Sequence, residues 1–226
     1  MPGTFALSDF QAGCQGEGAR LLRRAAQKAI GWSGGTTTEI AIYPADSAYS
    51  RRDFLWRASS ATVEADESEF TSLPGFWRLI MVLEGELQLE HAGHHRARLL
   101  PFEQDAFDGA WITRSRGKAR DFNLMLAEGC TGNLQAIPLP GRSTIDVLDA
   151  MAPVRAVHHC TWRLVYAVDG SITVRGGAGA AWRLDAGDAL LLTIASLQRS
   201  TGLAFAAEGE TPVQVVLASI WSSGIR

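Results

Sequence analysis

Glu39, Arg57, Ser59, Arg78, Asp121 and Asn123 are the residues of this chain whose types and alternation could do chemistry together. Along an extended chain, residues two apart share a face. Arg57, Ser59 and Ala61 alternate against Ala58 and Ser60. Arg78 shares a face with Ile80 and Val82, and Asp121 shares one with Asn123 and Met125. If these faces turn inward in a small barrel, two arginines, two acids, an amide and a hydroxyl line one cavity. The planar fork of arginine matches a carboxylate, so such a cavity would take a small anionic metabolite. The same residues could instead neutralise one another as a structural network, with Arg57 and Arg78 paired to Glu39 and Asp121. A third reading is an isomerase or hydrolase using Glu39 or Asp121 as acid or base. That work needs a raised carboxyl pKa, which neighbouring arginines oppose, so catalysis ranks below binding. Ser59 lacks the Gly-x-Ser-x-Gly turn of a hydrolase nucleophile.

These residues need strands to position them, and the chain is rich in short period-two runs. The first series is Glu39–Tyr43, Phe54–Val63, Trp77–Leu83, Glu86–Glu90, Trp111–Thr113 and Asp121–Leu126; a second runs from Cys160 to Ile220. Turn pairs such as Pro74-Gly75, Glu84-Gly85 and Asp169-Gly170 punctuate them. The strand–turn–strand unit at Leu79–Glu90 is echoed at Trp162–Val174, roughly 80–85 residues later, the spacing of a duplicated small barrel. The chain is therefore expected to be all-β: a loose leader over 1–18, an N-terminal barrel over 19–136 and a C-terminal barrel over 137–226. Ile137–Arg142 reads as the connection. The run from Arg20 to Ile30 has high helix propensity and predicts a short helix.

The stretch Trp32-Ser-Gly-Gly-Thr-Thr-Thr-Glu39 is not a phosphate loop, because no Lys-Ser/Thr pair follows its glycines and a strand, not a helix, comes next. It reads as a tight turn over the barrel mouth that delivers Glu39 to the interior, with Ile40 and Ile42 on the opposite face. The aromatic residues Trp32, Trp56 and Phe76 read as core.

The bulk properties exclude several function classes. A net charge of −3 over 226 residues recruits neither nucleic acid nor an anionic membrane. No apolar run is long enough to span a bilayer, and the N-terminus lacks the pattern of a signal peptide, so a cytoplasmic protein is expected. Cys14, Cys130 and Cys160 lie far apart without a Cys-x-x-Cys spacing, against a zinc knuckle or disulfide framework.

An ordered set of motifs resembles the HutD/Ves family of the cupin superfamily: Trp32-x-Gly-Gly-x-Thr-x-Glu39, Phe54-x-Trp-Arg-x-Ser-x-Ala61, Ser68-x-Phe-Thr-x-Leu-Pro-Gly75 with Arg78, and Asp121-Phe-Asn-Leu-Met125. The resemblance covers about residues 21–220. It implies a bicupin, two stacked double-stranded β-helix (jelly-roll) barrels. It also implies a role in sensing or moderating a metabolite of histidine breakdown, such as urocanate or N-formylated glutamate. Trp32-Ser33-Gly34-Gly35 is shorter than the glycine loop of the HutD branch and is nearer the Ves-like branch. The family places a strand just before Trp32, in conflict with the helix.

Metal-binding cupins offer His-x-His, a Glu and a later His, which suits transition metals. Here the corresponding positions hold Glu69, Thr71 and Trp77. The five histidines lie at 91, 94, 95, 158 and 159, and the adjacent His94 and His95 point to opposite sides of an extended turn. No metal and no other cofactor is expected. The expected partners are the anionic metabolite and a second copy of the chain.

Overall fold

The computed structural model describes residues 18–147, 160–195 and 202–222. Within them the chain runs through β1 (Gly18–Leu22), β2 (Lys28–Trp32), β3 (Gly35–Tyr43), β4 (Trp56–Val63), β5 (Glu67–Glu69), β6 (Phe76–Gly85), β7 (Leu87–His91), β8 (Arg96–Leu99), β9 (Gln104–Asp108), β10 (Thr113–Arg116) and β11 (Ala119–Ala127). It continues through β12 (Cys130–Leu139), β13 (Thr144–Val147), β14 (Cys160–Ala167), β15 (Ile172–Arg175), β16 (Ala181–Leu184), β17 (Ala189–Ala195), β18 (Leu203–Ala207) and β19 (Val213–Ser222). The only helical pieces among the described residues are two three-residue 3-10 turns, so the all-β expectation holds. His158, His159 and residues 1–17 lie outside the described residues, and Gly18, the last residue of the leader expected over 1–18, is instead the first of β1.

The first unit spans Gln27–Cys130. Its six-stranded sheet has the order β2-β3-β4-β11-β6-β9 and its four-stranded sheet the order β5-β10-β7-β8. Ile80, Val82, Leu87, Leu89, Leu99 and Phe107 form one buried cluster, and Phe54, Leu73, Phe76 and Met125 another. Burying each such side chain contributes roughly 1.5–3 kcal/mol, which makes apolar alternation the main determinant of register.

The second unit takes residues 18–26 together with Thr131 onward. Its sheets have the orders β1-β17-β14-β19-β12 and β13-β18-β15-β16. Val165, Ile172, Val174, Leu190, Phe205, Val215 and Leu217 fill its interior with apolar side chains.

Three expectations are corrected here. Arg20–Ile30 is not a helix: β1 pairs with β17 from Gly18↔Thr193 to Leu22↔Ala189, and β2 pairs with β3. Propensity is worth tenths of a kcal/mol per residue, and pairing to a sheet overrides it. The break between the two strands is fixed by Asp188, whose Oδ1 accepts from the Arg24 backbone N–H at 2.8 Å and whose Oδ2 accepts from Arg23 at 2.6 Å. Residues 137–139 are strand rather than connection, because β12 continues to Leu139 beside β19. Residues 19–26 and 131–136 accordingly group with the second unit, not the first.

Candidate functional site

The polar residues are set by three neighbouring strands of the first unit. Strand β11 lies between β4 and β6, and register aligns three rows across them. Arg57, Met125 and Arg78 form one row, Ser59, Asn123 and Ile80 the next, and Ala61, Asp121 and Val82 the third. Residues in one row point to the same face, so period-two alternation in three separate segments brings Arg57, Ser59, Arg78, Asp121 and Asn123 together. All five line one cavity of about 230 Å³, with Thr37, Tyr49, Phe70 and the half-exposed Ile30 and Trp32 toward its rim. Trp56 and Phe76 are core, as expected, but Trp32 is 38% exposed at the rim.

Glu39 reaches this group by a different route from the one expected. The β3–β4 register slips between Glu39 and Ala41, so that Glu39 opposes Ser59 while Ile42 opposes Arg57. The bulge inserts one residue, and alternation restarts. Glu39 and Ile42 therefore lie on the same inner face, where unbroken alternation had separated them. The Glu39 carboxylate accepts from Arg57 Nε at 2.7 Å, and Arg57 Nη1 donates to Ser59 Oγ at 3.1 Å. Tyr49 places its ring under the Arg57 guanidinium at 4.6 Å. Glu39, Arg57 and Ser59 are thus a closed, satisfied chain; Glu39 holds Arg57 and is not itself among the cavity-lining residues.

Arg78, Asp121 and Asn123 are left differently. The Arg78 guanidinium lies 4.9 and 5.2 Å from the ring centres of Phe70 and Phe107, which pack against each other on one side of it. Its Nε, the Asp121 Oδ1 and the Asn123 Oδ1 are buried with no hydrogen-bond partner among the described residues. Burial pulls the Arg78 guanidinium down to about 10, against the stabilising charges of Tyr49 and Asp121. Burial likewise pushes the Asp121 carboxyl up to about 7, overcoming the opposite pull of the Arg78 charge and the Ala61 backbone. The balance expected from the sequence is therefore reversed: desolvation outweighs the neighbouring cation.

The aromatic walls were not singled out as site residues. Phe70 stands inside the quoted motif Ser68-x-Phe-Thr, so its signal was present; Tyr49, in the loop between β3 and β4, carries no periodic signal. A second group also went unnoticed. His91, His95 and Asp105 converge, while His94 stacks on Trp111 at 3.7 Å and His95 meets the same ring edge-on at 5.9 Å. The Asp105 carboxylate lies within hydrogen-bond distance of both rings, 2.9 Å from His91 Nε2 and 3.0 Å from His95 Nε2.

Paired β-sheets enclosing a polar pocket place the chain in the cupin-like class. It resembles the crystal structure of an oxalate decarboxylase from Lactobacillus farciminis in its formate complex, with a TM-score of 0.61 at 8% identity over 91% of this chain and 86% of that one. The family is narrower: the chain belongs to the HutD family, whose model matches residues 24–213. Among solved structures it is similar to PA5104 from Pseudomonas aeruginosa PAO1, a conserved protein of unknown function. There the TM-score is 0.71 and the identity 25%, covering 90% of this chain and 98% of that one. It is also similar to HutD from Pseudomonas fluorescens SBW25 (formate condition), with a TM-score of 0.63 and 22% identity over 92% and 100% of the two chains.

Proposed function

We propose that the first unit binds a small carboxylate-bearing metabolite in the cavity between β4, β11 and β6, and that the protein senses or moderates the level of that metabolite. One observation carries the reading: three buried polar atoms, on cavity-lining Arg78, Asp121 and Asn123, have no hydrogen-bond partner among the described residues. Leaving such groups unpaired costs about 1–3 kcal/mol each, and a fold that needed them only for packing would have closed the network as Arg57 does. At roughly 30 Å³ per water, 230 Å³ holds seven or eight waters, which suits a metabolite rather than a polymer. Arg78 asks for an anionic acceptor, and the two side-chain oxygens ask for a donor. A ligand with both a carboxylate and an N–H answers them. Urocanate and N-formyl-L-glutamate have that pattern, and membership of the HutD family favours metabolites of histidine utilisation. The short Trp32–Gly35 loop supports a position nearer the Ves-like branch within it. In this reading the protein acts in the cytoplasm.

The test is thermal denaturation with each compound. We expect a rise in Tm with at least one of the two in the natural protein and none in Arg78→Met. No rise with any small carboxylate at millimolar concentration would sink the reading.

A second reading has its own observation. An Asp121 carboxyl near 7, inside a cavity, has the acidity of a general acid or base working at neutral pH. Mass spectrometry of a metabolite mixture incubated with the protein would reveal turnover lost in Asp121→Asn.

A further inference from the structure

We propose that His91, His95 and Asp105 form a site for a divalent first-row transition cation of the zinc type, separate from the cavity-lining residues. This revises the expectation of a chain without metal, which weighed the barrel positions where cupins carry their ligands and the histidines by themselves, but not Asp105 beside His91 and His95.

The three donors come from three places. His91 ends β7, His95 lies in the turn that follows, and Asp105 lies on β9. His91 Nε2 lies 2.9 Å from Asp105 Oδ2, and His95 Nε2 lies 3.0 Å from the same oxygen and 3.0 Å from Oδ1. All the donor atoms fall within 4.8 Å of one another. Ligand atoms around a tetrahedral zinc at 2.0–2.1 Å are separated by about 3.3 Å, so each Asp105–histidine pair needs only a few tenths of an ångström of opening to admit a cation.

The surroundings orient these donors as the outer shell of a metal site does. His91 Nδ1 is held by Thr113 Oγ1 at 2.8 Å, which turns Nε2 toward Asp105. Asp105 Oδ1 accepts from the Ala106 backbone N–H at 2.8 Å. The His91 ring packs against Phe107 at 4.5 Å and edge-on to Trp111 at 5.8 Å, an apolar wall on the protein side. The His91 side chain is fully buried and that of His95 is 40% exposed. A cation would therefore enter past His95 and keep its fourth position toward solvent. Two imidazoles and one carboxylate suit zinc and its neighbours better than magnesium or calcium, which prefer oxygen. Bound there, the cation would tie the β7–β8 turn to β9.

The experiment uses tag-free protein stripped with chelator and titrated calorimetrically with zinc chloride, followed by elemental analysis after dialysis. We expect one zinc per chain at micromolar affinity or better and a rise in Tm of a few degrees at a hundred-fold excess over the dissociation constant. Cobalt(II) should give the intense visible bands of a tetrahedral site. His95→Ala, a change on an exposed turn that leaves the fold intact, and Asp105→Asn should each weaken binding at least ten-fold, and His94→Ala should not. No stoichiometric zinc at 100 μM free metal overturns the proposal, as does zinc held equally well by His95→Ala, since it would then be bound elsewhere.

Discussion

Arg57 and Arg78 stand in one cross-strand row on either side of Met125, yet among the described residues only Arg57 has an ion-pair partner. Glu39 holds Arg57 at 2.7 Å, with the Arg57 side chain 5% and the Glu39 side chain 23% exposed. Arg78 is as deeply buried and has two aromatic rings beside it where Arg57 has a carboxylate. The same residue type, at the two ends of one row, is structural in one case and open to a ligand in the other.

Glu39→Gln should therefore destabilise the fold by about 1–3 kcal/mol in urea denaturation, because it leaves a buried guanidinium without its counter-charge. Glu90→Gln removes an exposed, solvent-screened pair with Arg96 and should cost clearly less than Glu39→Gln. Equal effects at the two positions would count against a structural role for the Glu39–Arg57 pair.

Arg78→Met should behave in the opposite sense. Replacing a buried, incompletely bonded guanidinium by an apolar side chain of similar length is neutral or stabilising, by up to about 2 kcal/mol. Arg57→Met should destabilise, since Glu39 and Ser59 lose their shared donor. Gained stability with lost response to carboxylates marks a residue kept for binding. A large destabilisation in Arg78→Met would instead make Arg78 a structural residue.

Asp121 gives a pH prediction with a definite sign. Its folded pKa of about 7 lies above the ordinary value of 3.8, so the folded state holds the proton more tightly than the unfolded state. The associated stability is fully present below about pH 4, is lost as pH rises toward 7, and changes no further above that. Asp121→Asn should flatten this slope and be more stable than the natural protein at pH 8, by roughly 4 kcal/mol, with little difference at pH 4. Parallel stability curves for the two proteins between pH 4 and 8 would show that burial does not govern this carboxyl.

The rows that build the cavity were legible because each depends only on alternation within a short segment: Arg57 with Ser59, Asp121 with Asn123, and Arg78 against Leu79. What defeated the sequence were features set between segments. The Ile40 bulge is one added residue against β4, invisible in β3 itself, and it moved Ile42 to the inner face. The helix expected over Arg20–Ile30 was a fair reading of local propensity, but β1 and β2 find their partners in β17 and β3. His91, His95 and Asp105 meet across a turn and a neighbouring strand, and no spacing rule joins them. The barrel class was carried by the duplicated strand–turn–strand units, whereas the assignment of β1 to the second unit depends on pairing over more than 160 residues.

Gly34 and Gly35 should respond differently to the same change, although they are adjacent. Gly35 begins β3 opposite Val63 with a φ of 153°, in the region that favours glycine, and an added Cβ would meet the Thr62 carbonyl oxygen at 1.9 Å. That neighbour is backbone in a paired strand and cannot move aside. Gly35→Ala should therefore cost more than about 2 kcal/mol in stability. A Cβ on Gly34 would meet only the far edge of the Trp32 ring, at 2.0 Å. Trp32 is partly exposed and lines the cavity rim, so its ring can swing outward. Gly34→Ala should leave stability within about 1 kcal/mol and instead shift the Trp32 fluorescence and weaken carboxylate binding several-fold. The measurement is a paired one, urea denaturation and ligand titration on both variants. If Gly34→Ala loses stability as Gly35→Ala does and binding is untouched, the glycine pair serves only the turn, and Trp32 does not form the lip of the site.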